Sequence, residues 1–222
     1  MYLSRLRLNP LSRDVARDVA DVSQMHRTIM RAFPAAPEGV NPREYYSVLY
    51  RLEANRRSGT ITLYVQSAVQ PNWSTLPAHY ALDGDNGQWP VKRVDHLYET
   101  IGPGRRLRFR LRANPTRKID TKTGPDGVRR HGRRVPVRGE QAQVDWLRRQ
   151  GERHGFAVRT LSIQASGAPE LKRSRIGGRT FQGVLYDGTL QVVDAEAFKR
   201  ALTKGIGPAK AFGFGLLSIA SE

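Results

Sequence analysis

The order of strands and helices along this chain predicts an α+β protein of two tandem ferredoxin-like (RRM-like) βαββαβ domains with antiparallel sheets. Three observations carry the prediction. Residues 1–135 and 136–222 each read as strand, helix, strand, strand and later strand, with a seam near 135–140. The strand segments alternate apolar and polar side chains, as half-buried strands do. A chain of 222 residues with 39% apolar content can bury a core in each half.

Residues 2–8, Tyr-Leu-Ser-Arg-Leu-Arg-Leu, read as a strand closed by Asn9-Pro10. Helical stretches follow around 12–19 and 22–33. In the second, Val22, Met25, Ile29 and Phe33 recur at helical spacing, and Pro34 and Pro37 stop it. Tyr46 to Glu53 and Thr60 to Ser67 are strands, joined by a turn from Asn55 to Gly59. The region around Trp73 and Trp89 is looser, so the second helix of the first unit is poorly marked. Arg105 to Arg112 is the clearest strand, with Leu107, Phe109 and Leu111 on one face and Arg106, Arg108, Arg110 and Arg112 on the other. Glu140 to His154 reads as a helix. Strands follow at 156–164, near 170–174, at 180–186 and at 189–193, with Tyr186-Asp187-Gly188-Thr189 as a hairpin turn. Asp194 caps a helix to about Thr203, and a glycine-rich segment leads to a last strand, Leu216 to Ala220.

Charge narrows the function. The chain holds 37 Lys and Arg against 20 acids, a net charge of +17. Such an excess repels itself unless a polyanion neutralises it, and nucleic acid also releases counterions on binding. Between Gly104 and Arg138 lie thirteen basic residues, among them Arg129 and Arg130, and only two acids. The part from 116 to 132 is either a solvated loop or one that orders on RNA. No basic amphipathic helix, lipidation motif or long apolar run points to a membrane partner. The absence of cysteine excludes disulfides, zinc ribbons and thiol nucleophiles. The expected compartment is the cytoplasm, since no secretory signal opens the chain.

Of five histidines, only His26 has an informative setting. It borders the apolar stripe of its helix, so packing can order one ring edge while the other faces a ligand. Arg27 and Arg31 share a neighbouring face. By spacing alone, a surface histidine on an ordinary helix is the better reading. The acids are scattered, and no histidine has a second ligand at metal-binding spacing, so no metal and no small-molecule cofactor are expected. Phosphodiester cleavage by such a chain would use the RNA's own 2′-hydroxyl, with a base, an acid and cations for the phosphorane. In the glycine-rich segment, Gly205, Gly207, Gly213 and Gly215 surround Lys210. They permit close backbone approach, either to a phosphate or to the other domain.

That segment, Gly-x-Gly, five residues, Gly-x-Gly, then Leu-Leu-Ser, resembles the glycine-rich loop of the RAMP superfamily of CRISPR proteins. Met1-Tyr2-Leu3-Ser4, Met25-His26-Arg27, Phe109 to Pro115 and Arg134-Val135-Pro136 extend the likeness, which is closest to the CasE (Cse-type) endoribonucleases of type I-E systems. The resemblance implies metal-independent cleavage of precursor CRISPR RNA at the 3′ base of the repeat hairpin. It implies that the enzyme stays bound among the other Cascade subunits. It places the catalytic histidine at His26, and places Ser23 where family members often carry a tyrosine. It also sets a basic hairpin against the RNA stem, here best matched by Lys172, Arg173, Arg175 and Arg179. The Arg106/Arg108/Arg110/Arg112 face is expected to take the single-stranded flank, unless it is covered within the molecule. A non-catalytic RNA-binding RAMP subunit is the alternative, with Ser23 marking lost activity.

Overall fold

A computed structural model describes residues 1–55, 57–84, 87–119, 133–165, 173–176 and 179–222. The first half opens with β1 (Tyr2–Leu8), α1 (Arg13–Ala20) and α2 (Val22–Met30). It continues with a short α3 (Pro42–Tyr45), β2 (Leu49–Asn55), β3 (Thr60–Ser67), β4 (Val91–Arg93) and α4 (Asp95–Glu99). Its antiparallel sheet has the order β2-β3-β1-β4, with Tyr2 opposite Ser67 and Leu8 opposite Ile61. Between β3 and β4 the chain makes only a 3₁₀ turn, Trp73–Thr75, in place of a full second helix. Leu6, Leu8, Met25, Ile29, Tyr50, Leu63 and Trp73 form the core beneath the helices. The stripe predicted on α2 is thus buried as a stripe.

The second half contains β5 (Arg106–Ala113), the hairpin β6 (Thr116–Ile119) and β7 (Arg133–Pro136), and α5 (Glu140–Arg153). Then come β8 (Phe156–Ala165), β9 (Arg173–Ile176), β10 (Arg179–Gln182), β11 (Val184–Val192), α6 (Ala195–Lys204) and β12 (Leu217–Ser221). Its sheet order is β12-β5-β11-β8, again antiparallel. Phe109, Leu111, Trp146, Leu147, Tyr186, Phe198 and Leu202 build its core with α5 and α6. Both halves therefore have the strand order of a ferredoxin-like unit.

Three expectations change. The strand Arg105 to Arg112, placed before the 135/136 seam, is β5 and pairs with β11 and β12 of the second sheet. Alternation identifies a strand, but the partner is a long-range choice. The predicted hairpin turn at Tyr186 to Thr189 is the middle of one continuous strand, β11. Gly188 serves close approach there: a Cβ would lie 2.0 Å from the Thr160 carbonyl oxygen on β8, just beside a register shift. Helix α2 ends at Met30 rather than 33, where Ala32 and Phe33 donate to Ile29 and Met30 in tightened three-residue turns ahead of Pro34.

Buried and part-buried hydrogen bonds join the halves. Gln66 Nε2 donates to the Leu202 carbonyl at 2.6 Å, while Tyr98, within the first half, steadies Gln66 by donating to its Oε1 at 2.8 Å. Arg51 Nη1 reaches Ser218 Oγ at 2.9 Å. Among the described residues, no helix is long and apolar enough to cross a membrane.

Candidate active site

Asp21 breaks the chain between α1 and α2, and its carboxylate accepts from the Ser23 backbone N–H at 2.8 Å. That cap fixes the start of α2 and sets His26 one turn further on. His26 is half-buried, and its Nδ1 is fully enclosed with no hydrogen-bond partner among the described residues. Burial lowers its pKa, and the nearby Arg43 guanidinium lowers it further. The imidazole is therefore neutral at neutral pH, able to accept a proton. Ser23 is half-buried on the same helix.

The glycine-rich segment packs against the face formed by α2 and β2. Tyr50 of β2 is the pin: its hydroxyl lies 3.3 Å from the Val22 carbonyl and 3.1 Å from the Ala211 carbonyl. Gly205 ends α6 with φ +74°, and a Cβ there would strike Leu49 at 2.8 Å. Gly213 has φ +79° and lies against the Tyr50 ring, where a Cβ would approach to 3.0 Å. Gly207 faces Trp146 of α5, and Gly215 faces the Ile206 carbonyl. The four glycines thus let the loop seat closely between the two halves. This makes a Lys210 side chain available beside α2.

Lys210 is half-buried, and its pKa falls through burial and then through Arg43. Arg43, Glu44, Ser47 and Leu49 from the first half meet Thr203, Lys204 and Lys210 from the second in one open cleft. Arg43 is bound by Glu44 at 2.8 Å, yet its charge acts on both His26 and Lys210. Arg43 and Lys204 are absent from the sequence-predicted site. The Asn41-Pro42 pair signals a short helix start, since Asn41 caps α3 with Pro42 in its first turn. Nothing local signals that α3 delivers Arg43 to His26.

The other expected RNA contacts divide. Arg27 and Arg31 are exposed, and Arg27 Nη1 donates to Gln24 Oε1 at 3.2 Å. Arg106 is exposed, and so is Arg108, whose Nε donates to the Ser221 carbonyl at 3.0 Å. Arg110 is held by Asp187 at 2.6 Å and by Glu53 at 3.0 Å. Arg112 is 4% exposed, lies 4.7 Å over the Phe214 ring, and burial pushes its pKa down to about 10. The arginine face of β5 is buried at Arg112 and engaged in ion pairs at Arg110, because β5 is an interior strand whose polar side meets Glu53 of the first sheet. Arg173 and Arg175 lie on β9 and Arg179 on β10, which pair as a hairpin with Arg175 opposite Thr180. Arg129, Arg130 and Lys172 lie outside the described residues. Among the described residues, no three acid or imidazole side chains converge as a metal site would require.

Comparison with known proteins adds a second line. A family model described as CRISPR associated protein matches residues 1–221. The CRISPR-associated endoribonuclease Cse3 of Thermus thermophilus is 35% identical, over 99% of this chain and 100% of its own length. The CRISPR system Cascade subunit CasE of Escherichia coli K12 is 31% identical, over 99% of each. The structure of Thermus thermophilus Cse3 bound to an RNA representing a pre-cleavage complex superposes with a TM-score of 0.78 at 35% identity, covering 99% and 98% of the two chains. The crystal structure of Cas6e from Escherichia coli K-12 gives a TM-score of 0.69 at 26% identity over the full length of both. Two ferredoxin-like sheets and identity across the whole length agree: the chain belongs to the CRISPR-associated family of Cse3 and CasE.

Proposed function

We propose that this protein is an endoribonuclease that binds the CRISPR repeat hairpin, cuts precursor CRISPR RNA at the 3′ base of the stem, and remains bound as a Cascade subunit in the cytoplasm. The observation that carries this reading is His26, a neutral half-buried imidazole beside Arg43, on a helix packed against the Lys210 loop. In the reaction, His26 takes the proton of the ribose 2′-hydroxyl. The 2′-oxygen bonds to phosphorus as the bond to the 5′-oxygen breaks, leaving a 2′,3′-cyclic phosphate upstream. Arg43 and Lys210 stabilise the charge that develops on the phosphorane. The leaving 5′-oxygen needs a proton, and the Lys210 ammonium, made more acidic by burial and by Arg43, is suited to give it. Ser23 lacks the acidity of a phenol and serves at most to position water or phosphate.

The other cations divide between positioning roles. On this reading Arg173, Arg175 and Arg179 of the β9–β10 hairpin contact the stem, Lys172 preceding them in the sequence, and Arg27, Arg31, Arg106 and Arg108 offer exposed charge elsewhere. The test is incubation of a labelled cognate repeat hairpin in EDTA, followed by end-group analysis. Cleavage in EDTA, and none when the nucleotide 5′ of the scissile phosphate is 2′-deoxy, is the expected result. Activity that survives the deoxy substitution overturns the mechanism, and inactivity on the natural RNA favours a purely RNA-binding subunit.

A further inference from the structure

A second basic surface lies away from the cleft. Arg117 and Lys118 of β6, Arg134 of β7, and Arg149 and Arg153 of α5 line one groove. Trp146 and Gln150 form its buried floor, and Gly207 and Pro208 of the glycine-rich loop form its end. All five cations are exposed, no acid lines the groove, and none of the five makes an ion pair among the described residues.

The placement of these charges runs against local stability twice. Lys118 lies directly opposite Arg134 across the β6–β7 ladder, where like charges repel. Arg149 and Arg153 stand four apart on α5, so they too are neighbours of like sign. Two independent elements turn their repelling pairs toward the same channel. Such an arrangement is relieved by a polyanion lying between them. The groove also touches the glycine-rich loop: Gly207 and Pro208 line it, Pro208 is two residues from Lys210, and both Lys210 and Arg153 act electrostatically on the half-buried His154.

We propose that this groove between the β6–β7 hairpin and α5 holds the ribose-phosphate backbone of a single RNA strand flanking the hairpin and guides it to the glycine-rich loop. The inference rests on the endoribonuclease reading for its direction, though not for its chemistry. The groove, with a volume of about 510 Å³, suits a short stretch of one strand rather than a duplex. Its only aromatic is a buried tryptophan, so it tracks phosphates and does not stack bases, which makes it indifferent to sequence.

The experiment measures affinity against salt for two RNAs, the blunt repeat hairpin and the same hairpin with a single-stranded flank on either side. Two double variants are used, Arg149→Gln with Arg153→Gln, and Arg117→Gln with Lys118→Gln, each checked by thermal unfolding. On wild-type protein, one flank raises affinity and steepens the salt dependence. Each double variant should lose that gain, with the slope of log affinity against log salt falling by about 0.7 per lost phosphate contact. Blunt-hairpin affinity should hold within two-fold or so. An equal loss on both RNAs assigns these residues to the stem and overturns the proposal, as does a flank effect unchanged in both variants. Because binding is read without cleavage, an inactive enzyme would sink the endoribonuclease reading and leave this test intact.

Discussion

Two sets of cations in this molecule obey opposite rules. Where the sheets meet, Arg51 donates to Glu53 at 2.7 Å, Glu53 also accepts from Arg110 at 3.0 Å, and Arg110 reaches Asp187 at 2.6 Å. Each of those charges is answered inside the protein, and together they tie β2 of the first sheet to β5 and β11 of the second. In the groove, cations face one another instead, Lys118 opposite Arg134, and in the cleft Lys210 feels the charge of Arg43, which Glu44 pairs at 2.8 Å. The first set holds the two units in register, and on the proposed reading the second is left for RNA to complete. Mutation should separate them, the paired set through stability and the unpaired set through function.

The largest effect on stability belongs to Glu53. Arg51 is 3% exposed, so Glu53→Ala leaves a buried guanidinium without its acid and frees one side of Arg110. Breaking a buried pair by removing one partner costs about 3 kcal/mol or more. Chemical denaturation should show a loss of that order, whereas Lys118→Gln should leave the midpoint unchanged or raise it slightly. Equal losses in the two variants would erase the distinction between the sets.

His26→Ala should lower single-turnover cleavage by about 10² or more, within the range for losing a general acid or base. Hairpin affinity should stay within a few-fold, because His26 borders the buried stripe of α2 rather than belonging to it. Loss of binding together with cleavage would make His26 a docking residue.

The protonation state gives a finer test. His26 in the folded protein has a pKa below its ordinary 6.5, so it is neutral above that pH and charges only further down. If the neutral ring is the base and Lys210 the acid, kcat/KM falls as pH drops through a value below 6.5 and falls again on the alkaline side as Lys210 loses its proton. Arg43→Gln removes one of the two lowering causes, so the acidic limb should move to higher pH while the maximal rate also drops. A limb that stays in place would detach Arg43 from the site.

How much of this was legible follows the reach of each signal. β1, β3, α5 and α6 are readable because alternation, helical spacing and caps such as Asp194 are local; its carboxylate indeed accepts from Ala197 N–H at 2.9 Å. The alternation of β5 marks a strand equally well, yet gives no hint that Arg110 faces Glu53, 57 positions away. Gly188 reads as a turn because flanking apolar runs look the same whether glycine bends a strand or lets a neighbour close. His26 is visible as a candidate, but Arg43 is not, since its charge reaches His26 only after α3 has folded beside α2. The groove cations are half legible: Arg117, Lys118 and Arg134 belong to the basic run between Gly104 and Arg138, but that they line one groove with Arg149 and Arg153 of α5 emerges only in the fold.

The smallest effect is expected at Ser23, and it bears on whether the unpaired set acts alone. Ser23 sits in the first turn of α2, its backbone N–H already capped by Asp21, and its hydroxyl is half-buried one turn before His26. An aliphatic hydroxyl is too weakly acidic to give or take the proton that a phenol would, so Ser23→Ala should change single-turnover cleavage by less than about threefold. If His26, Arg43 and Lys210 suffice, Ser23→Tyr only adds bulk on α2 and leaves the rate near wild type or lower. If the site lacks an acid, the new phenol supplies one and the rate rises. A rise confined to Ser23→Tyr, absent in Ser23→Phe, would show that the proton and not the ring matters, and would shift the acid's role from Lys210 to the position that Ser23 occupies.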